Sequence, residues 1–269
     1  MKLTSWNVNR RTMKGINDQM IALGKISADI VALQEITFES VPYYLSGLKE
    51  LGYCEVRDSF KGTKTGRRTG GVVTAARWIM EDLARLDDQL PFTEKVLSVG
   101  IKTQGWGNVE VHNVHIPPGS SHGIKKIQAL EGIYRGLARN SRFPRILCGD
   151  FNTPQEEYSD GVILTWAFKK LKSSKIVFRP GRDERWDTGE RNILKGLGGF
   201  DLSDVFRTVH GFKVQDFSWR QLRKENETRR RFDHVFASKS LHPYECRYLH
   251  SYREAGLSDH SPIEVMFKP

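Results

Sequence analysis

Apolar positions along this chain fall into short blocks whose period switches between two residues and about 3.6, the signatures of strand and helix. Residues 2–8 alternate weakly and predict a first strand. Across 12–26, Met13, Ile16, Met20 and Leu23 stand at helical spacing and predict one buried stripe. The run DIVALQE (29–35) predicts a short buried strand ending in a carboxylate, and 41–53 a helix ending at Gly52. Further strands are predicted at 70–77, 95–103 and 108–116, the last two joined as a hairpin through Gly105 and Gly107. Ile124, Ile127, Leu130, Tyr134 and Leu137 share one face of a helix over 123–139, with Lys125 and Lys126 read as its wet face. Ile146-Leu147-Cys148 predicts a buried strand that ends at Gly149, and a helical stretch is expected near 159–172. The polar, basic region 173–196 gives no clear pattern; strands recur near 217–219, 231–238 and 261–267. Strands that alternate with helices early and pair as hairpins later predict mixed sheets covered by helices, an α/β (α+β) arrangement. Without a Pro/Ser-rich linker, low-complexity tract or long repeat, residues 1–269 read as one domain.

Composition narrows this picture. Hydrophobic content of 38% and charged content of 28% over 269 residues are those of a soluble globular protein. No apolar run approaches the ~20 residues of a membrane span, so no membrane insertion is expected. The opening MKLTSWNVNR turns polar at Asn7, too early for a secretory apolar core. Cys54, Cys148 and Cys246 lack CxxC spacing and read as reduced thiols, which points to the cytoplasm. A net charge of +10 favours a polyanionic partner, nucleic acid before anionic membrane. No obligate protein partner is expected.

Candidate chemistry gathers where apolar strands end. TSWNVNR ends in Asn7 and Asn9, IVALQE in Glu35, and VHNVHIPPG carries His115 before a Pro-Pro-Gly turn. ILCGDFN supplies Asp150 and Asn152, two positions apart and so on one side of an extended chain. RFDHVFAS puts Asp233 inside an apolar strand, where it needs a partner, and LSDHSPIEV places Asp259 and His260 before the last strand. Acids, amides and histidines without cysteine ligands suit a hard, oxygen-bound cation, Mg²⁺ with Mn²⁺ as the alternative. HExxH and GxxxxGK[ST] patterns are absent, which argues against a zinc hydrolase and a P-loop enzyme.

These segments, in this order from Trp6 to Pro262, resemble the endonuclease/exonuclease/phosphatase superfamily, whose members include deoxyribonuclease I and exonuclease III. The resemblance implies a four-layer sandwich, two mixed β-sheets flanked by helices. It implies Glu35 as the main metal ligand with Asn7 beside it, Asp150 as the base for the attacking water, and Asn152 as a holder of the scissile phosphate. His260 would contact phosphate, oriented by Asp233; Asp259 would serve the metal directly or from behind. His115 stands where some members have His and others Tyr; it would stabilise the pentavalent charge or, in competition with a metal-bound water, protonate the leaving oxygen. Asn9 replaces an Asp common in abasic-site endonucleases, which puts a second metal position in doubt. Trp219 is expected to pack beneath the site, and His112, His122, His210, His234, His242 and His250 to be structural or surface residues.

Two basic runs could track a phosphate backbone: Lys61, Lys64, Arg67 and Arg68 in FKGTKTGRR, and Arg220, Arg223 and Arg230 in RQLRKENETRRR. The expected activity is metal-dependent hydrolysis of DNA by an endonuclease or 3′-exonuclease, with abasic-site specificity left open. The alternatives are a phosphoesterase of the same fold acting on a lipid head group or small phosphodiester, and a non-catalytic nucleic-acid-binding module.

Overall fold

The computed structural model describes residues 1–11, 13–61, 66, 67, 69–84, 86–223 and 226–268, and for Arg223 the backbone only. The first half of the chain runs β1 (Lys2–Asn7), α1 (Met13–Ile26), β2 (Ile30–Thr37), α2 (Val41–Glu50), β3 (Glu55–Asp58) and β4 (Gly70–Ala76). It continues through β5 (Met80–Asp82), β6 (Val96–Thr103), β7 (Gly107–His115), α3 (Gly119–His122), α4 (Lys125–Leu137) and β8 (Arg145–Asp150). Four short strands follow, β9 (Glu156–Glu157), β10 (Ile163–Leu164), β11 (Phe168–Lys170) and β12 (Ile176–Phe178), then α5 (Glu184–Leu194), β13 (Ser203–Asp204) and α6 (Val205–His210). The chain closes with β14 (Trp219–Arg223), β15 (Asn226–Arg230), β16 (Asp233–Ala237), β17 (Pro243–Tyr248), α7 (His250–Glu254) and β18 (Ile263–Phe267).

Two six-stranded sheets result, ordered β17-β18-β1-β2-β4-β3 and β13-β16-β8-β7-β6-β5. Each is mixed in the same way. One parallel pair, β1 with β2 or β7 with β8, is flanked by antiparallel neighbours. Alternation along the strands explains the layering. Leu3, Ile30 and Ala32 meet Val99, Val111, Ile146, Cys148 and Val235 between the sheets. From the same strands, Trp6, Val31 and Leu33 pack outward against Ile16, Leu23, Tyr44 and Leu48 of α1 and α2. Leu147 and Phe236 do the same against Ile127, Leu130 and Ile133 of α4 and Trp186 and Ile193 of α5. Both faces of each central strand are therefore apolar, which is why the sequence shows continuous runs there. The layers are helix, sheet, sheet, helix, as the resemblance implied.

Several expectations need correction. The helix near 159–172 does not form; β10 and β11 lie in that stretch and its apolar residues serve short antiparallel pairs with β9 and β12. The helix lies instead in the region without clear pattern, where Asp183 caps α5 by accepting from Trp186 N. Met13 and Ile124 do not join their buried stripes, being 46% and 43% exposed, because each stands at or before the first residue of its helix. Strand β2 does not end at Glu35: its pairing with β4 skips that residue in a bulge and resumes at Ile36.

Candidate functional site

The two parallel pairs point their carboxyl ends to the same rim of the sandwich. Asn7 is the last residue of β1 and pairs in register with Gln34, so Glu35 follows beside it. His115 and Asp150 end β7 and β8 as direct register partners. The antiparallel β16 enters at that rim with Asp233 opposite Asp150, as its first residue and not inside the strand. His260 lies before β18, held there by an isolated bridge to Trp219 and by its own carbonyl accepting from Trp6 Nε1 at 3.0 Å. Gly149 permits this convergence, since a Cβ there would stand 1.8 Å from the carbonyl oxygen of Val114. Glu35 itself adopts φ +60°, a conformation the bulge imposes, and this turns its carboxylate to the rim.

Asp150 is the hub. Its Oδ2 accepts from Asn7 Nδ2 at 2.9 Å and Asn152 Nδ2 at 3.2 Å, and its Oδ1 accepts from Asn152 N at 2.9 Å. Two imidazole nitrogens face the same oxygen without bonding it, His260 Nε2 at 3.9 Å and His115 Nε2 at 4.0 Å. Burial, with Asp233 nearby, pushes Asp150 up to about 7 against the opposing pull of His260. His260 Nδ1 lies 2.7 Å from Asp233 Oδ2, so the expected carboxylate–imidazole pair is present. Burial would lower His260, yet Asp233 and Asp150 outweigh it and raise the ring to about 10, so it is charged at neutral pH. Asp233 is anchored by Ser218 Oγ, which accepts from its backbone N–H at 3.0 Å, and by Tyr248 OH, which donates to its carbonyl at 2.7 Å.

The Glu35 side of the rim is organised differently. His115 Nε2 stands 3.3 Å from Glu35 Oε1, and Arg10 Nε stands 3.4 Å from Glu35 Oε2. Burial would raise Glu35, but His115 and Arg10 hold it at about 2. Behind His115, the buried Lys95 donates to Gly70 O at 3.1 Å and lies 3.4 Å from His115 Nδ1. Burial first and Lys95 second push His115 downward, so this ring is neutral at pH 7.

Two groups of side chains offer ligand atoms within 4.8 Å of one another, Glu35 with His115 and Asp150, and Asp150 with Asp233 and His260. In the second, Asp233 and His260 already spend atoms on each other. In the first, Glu35 is ionised and partly open to solvent, and His115 Nε2 has no hydrogen-bond partner among the described residues. A carboxylate pair free of thiolate fits a hard divalent cation at Glu35.

The remaining predicted residues are placed as follows. Asp259 is exposed, accepts from Trp219 Nε1 at 3.1 Å and joins neither ligand group. Trp219 is partly exposed and packs on Phe232 with ring centroids 5.4 Å apart. Lys61 is paired with Asp82, Arg220 with Glu227, and the half-buried Arg230 lies 3.9 Å from Glu156. Arg67 is exposed at the start of the segment leading into β4. Lys64 and Arg68 lie outside the described residues, as does the side chain of Arg223.

Lys126 is the clearest correction. It is fully buried, donating to Glu190 Oε1 at 2.6 Å and to Asn152 O at 2.9 Å. Glu190 Oε2 also accepts from Thr153 Oγ1 at 2.6 Å and Trp166 N at 2.9 Å, so the pair clamps the backbone that carries Asn152. A signal was available: Lys126 stands four residues before Leu130 on the apolar stripe of α4, and Glu190 four after Trp186 on that of α5. Opposite charges on two apolar stripes predict a buried pair. Arg10 and Lys95 carried no such signal.

A profile of the Endonuclease/Exonuclease/phosphatase family matches residues 4–260. No curated protein matches the chain in sequence. Among solved structures, an AP endonuclease from Archaeoglobus fulgidus superposes with a TM-score of 0.74 at 22% identity, covering 100% of both chains. The 3′-5′ exonuclease NExo of Neisseria meningitidis gives 0.69 at 21% identity, again over 100% of both. A Neisseria NExo 3′ phosphatase bound to a product DNA hairpin gives 0.67 at 18% identity with the same full coverage. At these identities the likeness establishes the fold.

Proposed function

The chain belongs to the endonuclease/exonuclease/phosphatase family, and on that premise we propose that it is a Mg²⁺-dependent DNA nuclease that cleaves phosphodiesters by in-line attack of water. The observation that carries this reading is the position of Asp150, tied by two amides and faced across about 4 Å by one charged and one neutral imidazole. A carboxylate near pH 7 in strength is a competent base for water, and a gap of that size accommodates a reacting group. Asn7 and Asn152 fix the carboxylate; His260, kept charged by Asp233, offers Nε2–H to a phosphoryl oxygen. His115 accepts from Lys95 at Nδ1, so the neutral ring carries its proton on Nε2 and serves as a hydrogen-bond donor beside Glu35. Glu35 and Asn7 would hold the cation, which when bound neutralises phosphoryl charge.

Nucleic acid is the substrate class favoured by the +10 charge. Lys61, Arg67, Arg220 and Arg230 would contact backbone phosphates, the ion pairs of Lys61 and Arg220 being exposed and individually weak. The likeness to an AP endonuclease and a 3′-5′ exonuclease makes abasic and 3′-terminal DNA the first substrates to test. No helix among the described residues is long and apolar enough to cross a membrane, and the free cysteines fit a cytoplasmic enzyme. The test is cleavage with and without Mg²⁺ of intact duplex, abasic duplex, 3′-phosphorylated duplex, single strand, RNA and a phosphoinositide. Metal-dependent cleavage of a DNA substrate is expected; turnover of the phosphoinositide alone would overturn the assignment.

A further inference from the structure

Strand β1 leaves its sheet through Asn9 and Arg10, whose φ angles are +54° and +46°. Two successive left-handed residues, neither of them glycine, are uncommon, and for a long side chain such as arginine the conformation is strained. Such an outlier at a site invites the question of what the strain secures. Here it brings two backbones face to face. Arg10 N donates to Glu35 O at 3.2 Å, and Glu35 is itself left-handed in its bulge at φ +60°. The guanidinium is thereby laid against the Glu35 carboxylate, Nε to Oε2 3.4 Å. The guanidinium lies over Gly70, where a Cβ would meet Nη2, Nε and Cζ at ordinary contact distances of 3.5 to 3.8 Å. Arg10 is 50% exposed against 22% for Glu35, so it covers the carboxylate from the solvent side. Beside it lies a concavity of about 460 Å³ lined also by Arg11, Thr37, Glu39, Ser40 and Tyr43.

We propose that Arg10 is a substrate-binding residue held in reserve on Glu35, yielding the carboxylate to a divalent cation and then taking a backbone phosphate of the nucleic acid. The first half follows from charge. A half-exposed ion pair at 3.4 Å is weak and readily exchanged, and a guanidinium on Oε2 repels a divalent ion brought to the same carboxylate. The second half follows from what is left. Once displaced, the guanidinium is a planar, permanently charged fork at the mouth of an open concavity, with Arg11 alongside, and such forks match phosphate oxygens. Glu39, the acidic residue of that lining, opposes an anion beside it, so the phosphate is assigned to Arg10 and not to the concavity as a whole.

The inference rests on the reading of Glu35 as the metal ligand, and the experiment separates the two. Mn²⁺ is titrated calorimetrically, without DNA, into wild type, Arg10→Gln and Arg10→Gly; the glycine variant also relieves the backbone. Both variants are expected to bind Mn²⁺ about three- to fivefold more tightly, the loss of one surface ion pair. Wild type that binds no Mn²⁺ overturns the metal reading and this inference with it. Unchanged affinity in both variants overturns the inference alone, as does tightening in Arg10→Gly only, which would assign the effect to backbone strain. For the second half, duplex binding is measured against salt in the metal-loaded Asp150→Asn background. Adding Arg10→Gln should reduce the log–log slope by about one; an unchanged slope overturns the phosphate contact.

Discussion

His260 and His115 are both buried, both end within about 4 Å of the same Asp150 oxygen, and they carry opposite charge states. Burial pushes each ring toward neutrality. What differs is the group behind it. Asp233 stands 2.7 Å behind His260 and overrides burial; Lys95 stands 3.4 Å behind His115 and reinforces it. One imidazole is thus a fixed cation and the other a neutral donor or acceptor. The lesson is that depth alone does not set the role of a buried histidine; the partner on its far nitrogen does.

The comparison can be broken at four points. The largest effect comes from removing what both rings face: Asp150→Asn should abolish Mg²⁺-dependent cleavage, a loss of ~10⁴-fold or more in a steady-state assay. Substantial residual activity there would refute the assignment of the base. Next, Asp233→Asn removes the carboxylate that charges His260 and should lower kcat by about 10³- to 10⁴-fold, as for other carboxylate-oriented imidazoles. It should also change stability with pH. The His260 ring is raised from 6.5 to about 10, so its contribution is whole below pH 6.5 and lost as pH rises through 10. The Tm gap between wild type and Asp233→Asn should therefore be widest near pH 6 and close toward pH 10; a gap that widens with pH would invert the assigned sign.

The third break is structural. Lys126→Met strands Glu190 in a dry interior and should cost about 3–5 kcal/mol in denaturant melts, while Lys126→Met with Glu190→Leu recovers much of it. If the double variant folds but stays impaired in kcat with KM unchanged, the clamp on Asn152 O matters to the site beyond stability. The smallest effect is expected from Lys95→Met, which takes the ammonium from behind His115. In metal-free protein the His115 resonance should titrate at higher pH than in wild type, by NMR. A downward move would show that Lys95 is not what distinguishes the two rings.

How much of this was legible beforehand varies by element for physical reasons. Long elements with strong period, such as α1, β7 and β8, were read close to their observed spans because burial on defined faces is written in the residue order. The stretch 159–172 misled because its apolar residues serve strands of two or three residues, too short to establish a period. Asn7, Glu35, His115, Asp150 and Asn152 were found as polar groups closing apolar runs, which the two parallel pairs bring to one rim; Asp233 and His260 reach the same rim from the start of β16 and from just before β18.

What the sequence by itself determined is the set of reactive side chains and the alternation that buries both faces of the central strands. Which charge each carries was decided only by tertiary structure, since the groups responsible come from remote segments: Asp233 to His260, Lys95 to His115, Arg10 to Glu35, Glu190 to Lys126. Electrostatic interactions act across space over a few ångströms, whereas periodicity reports only on neighbours along the chain. A lysine on an apolar stripe can be read from order alone; an ammonium behind a ring cannot.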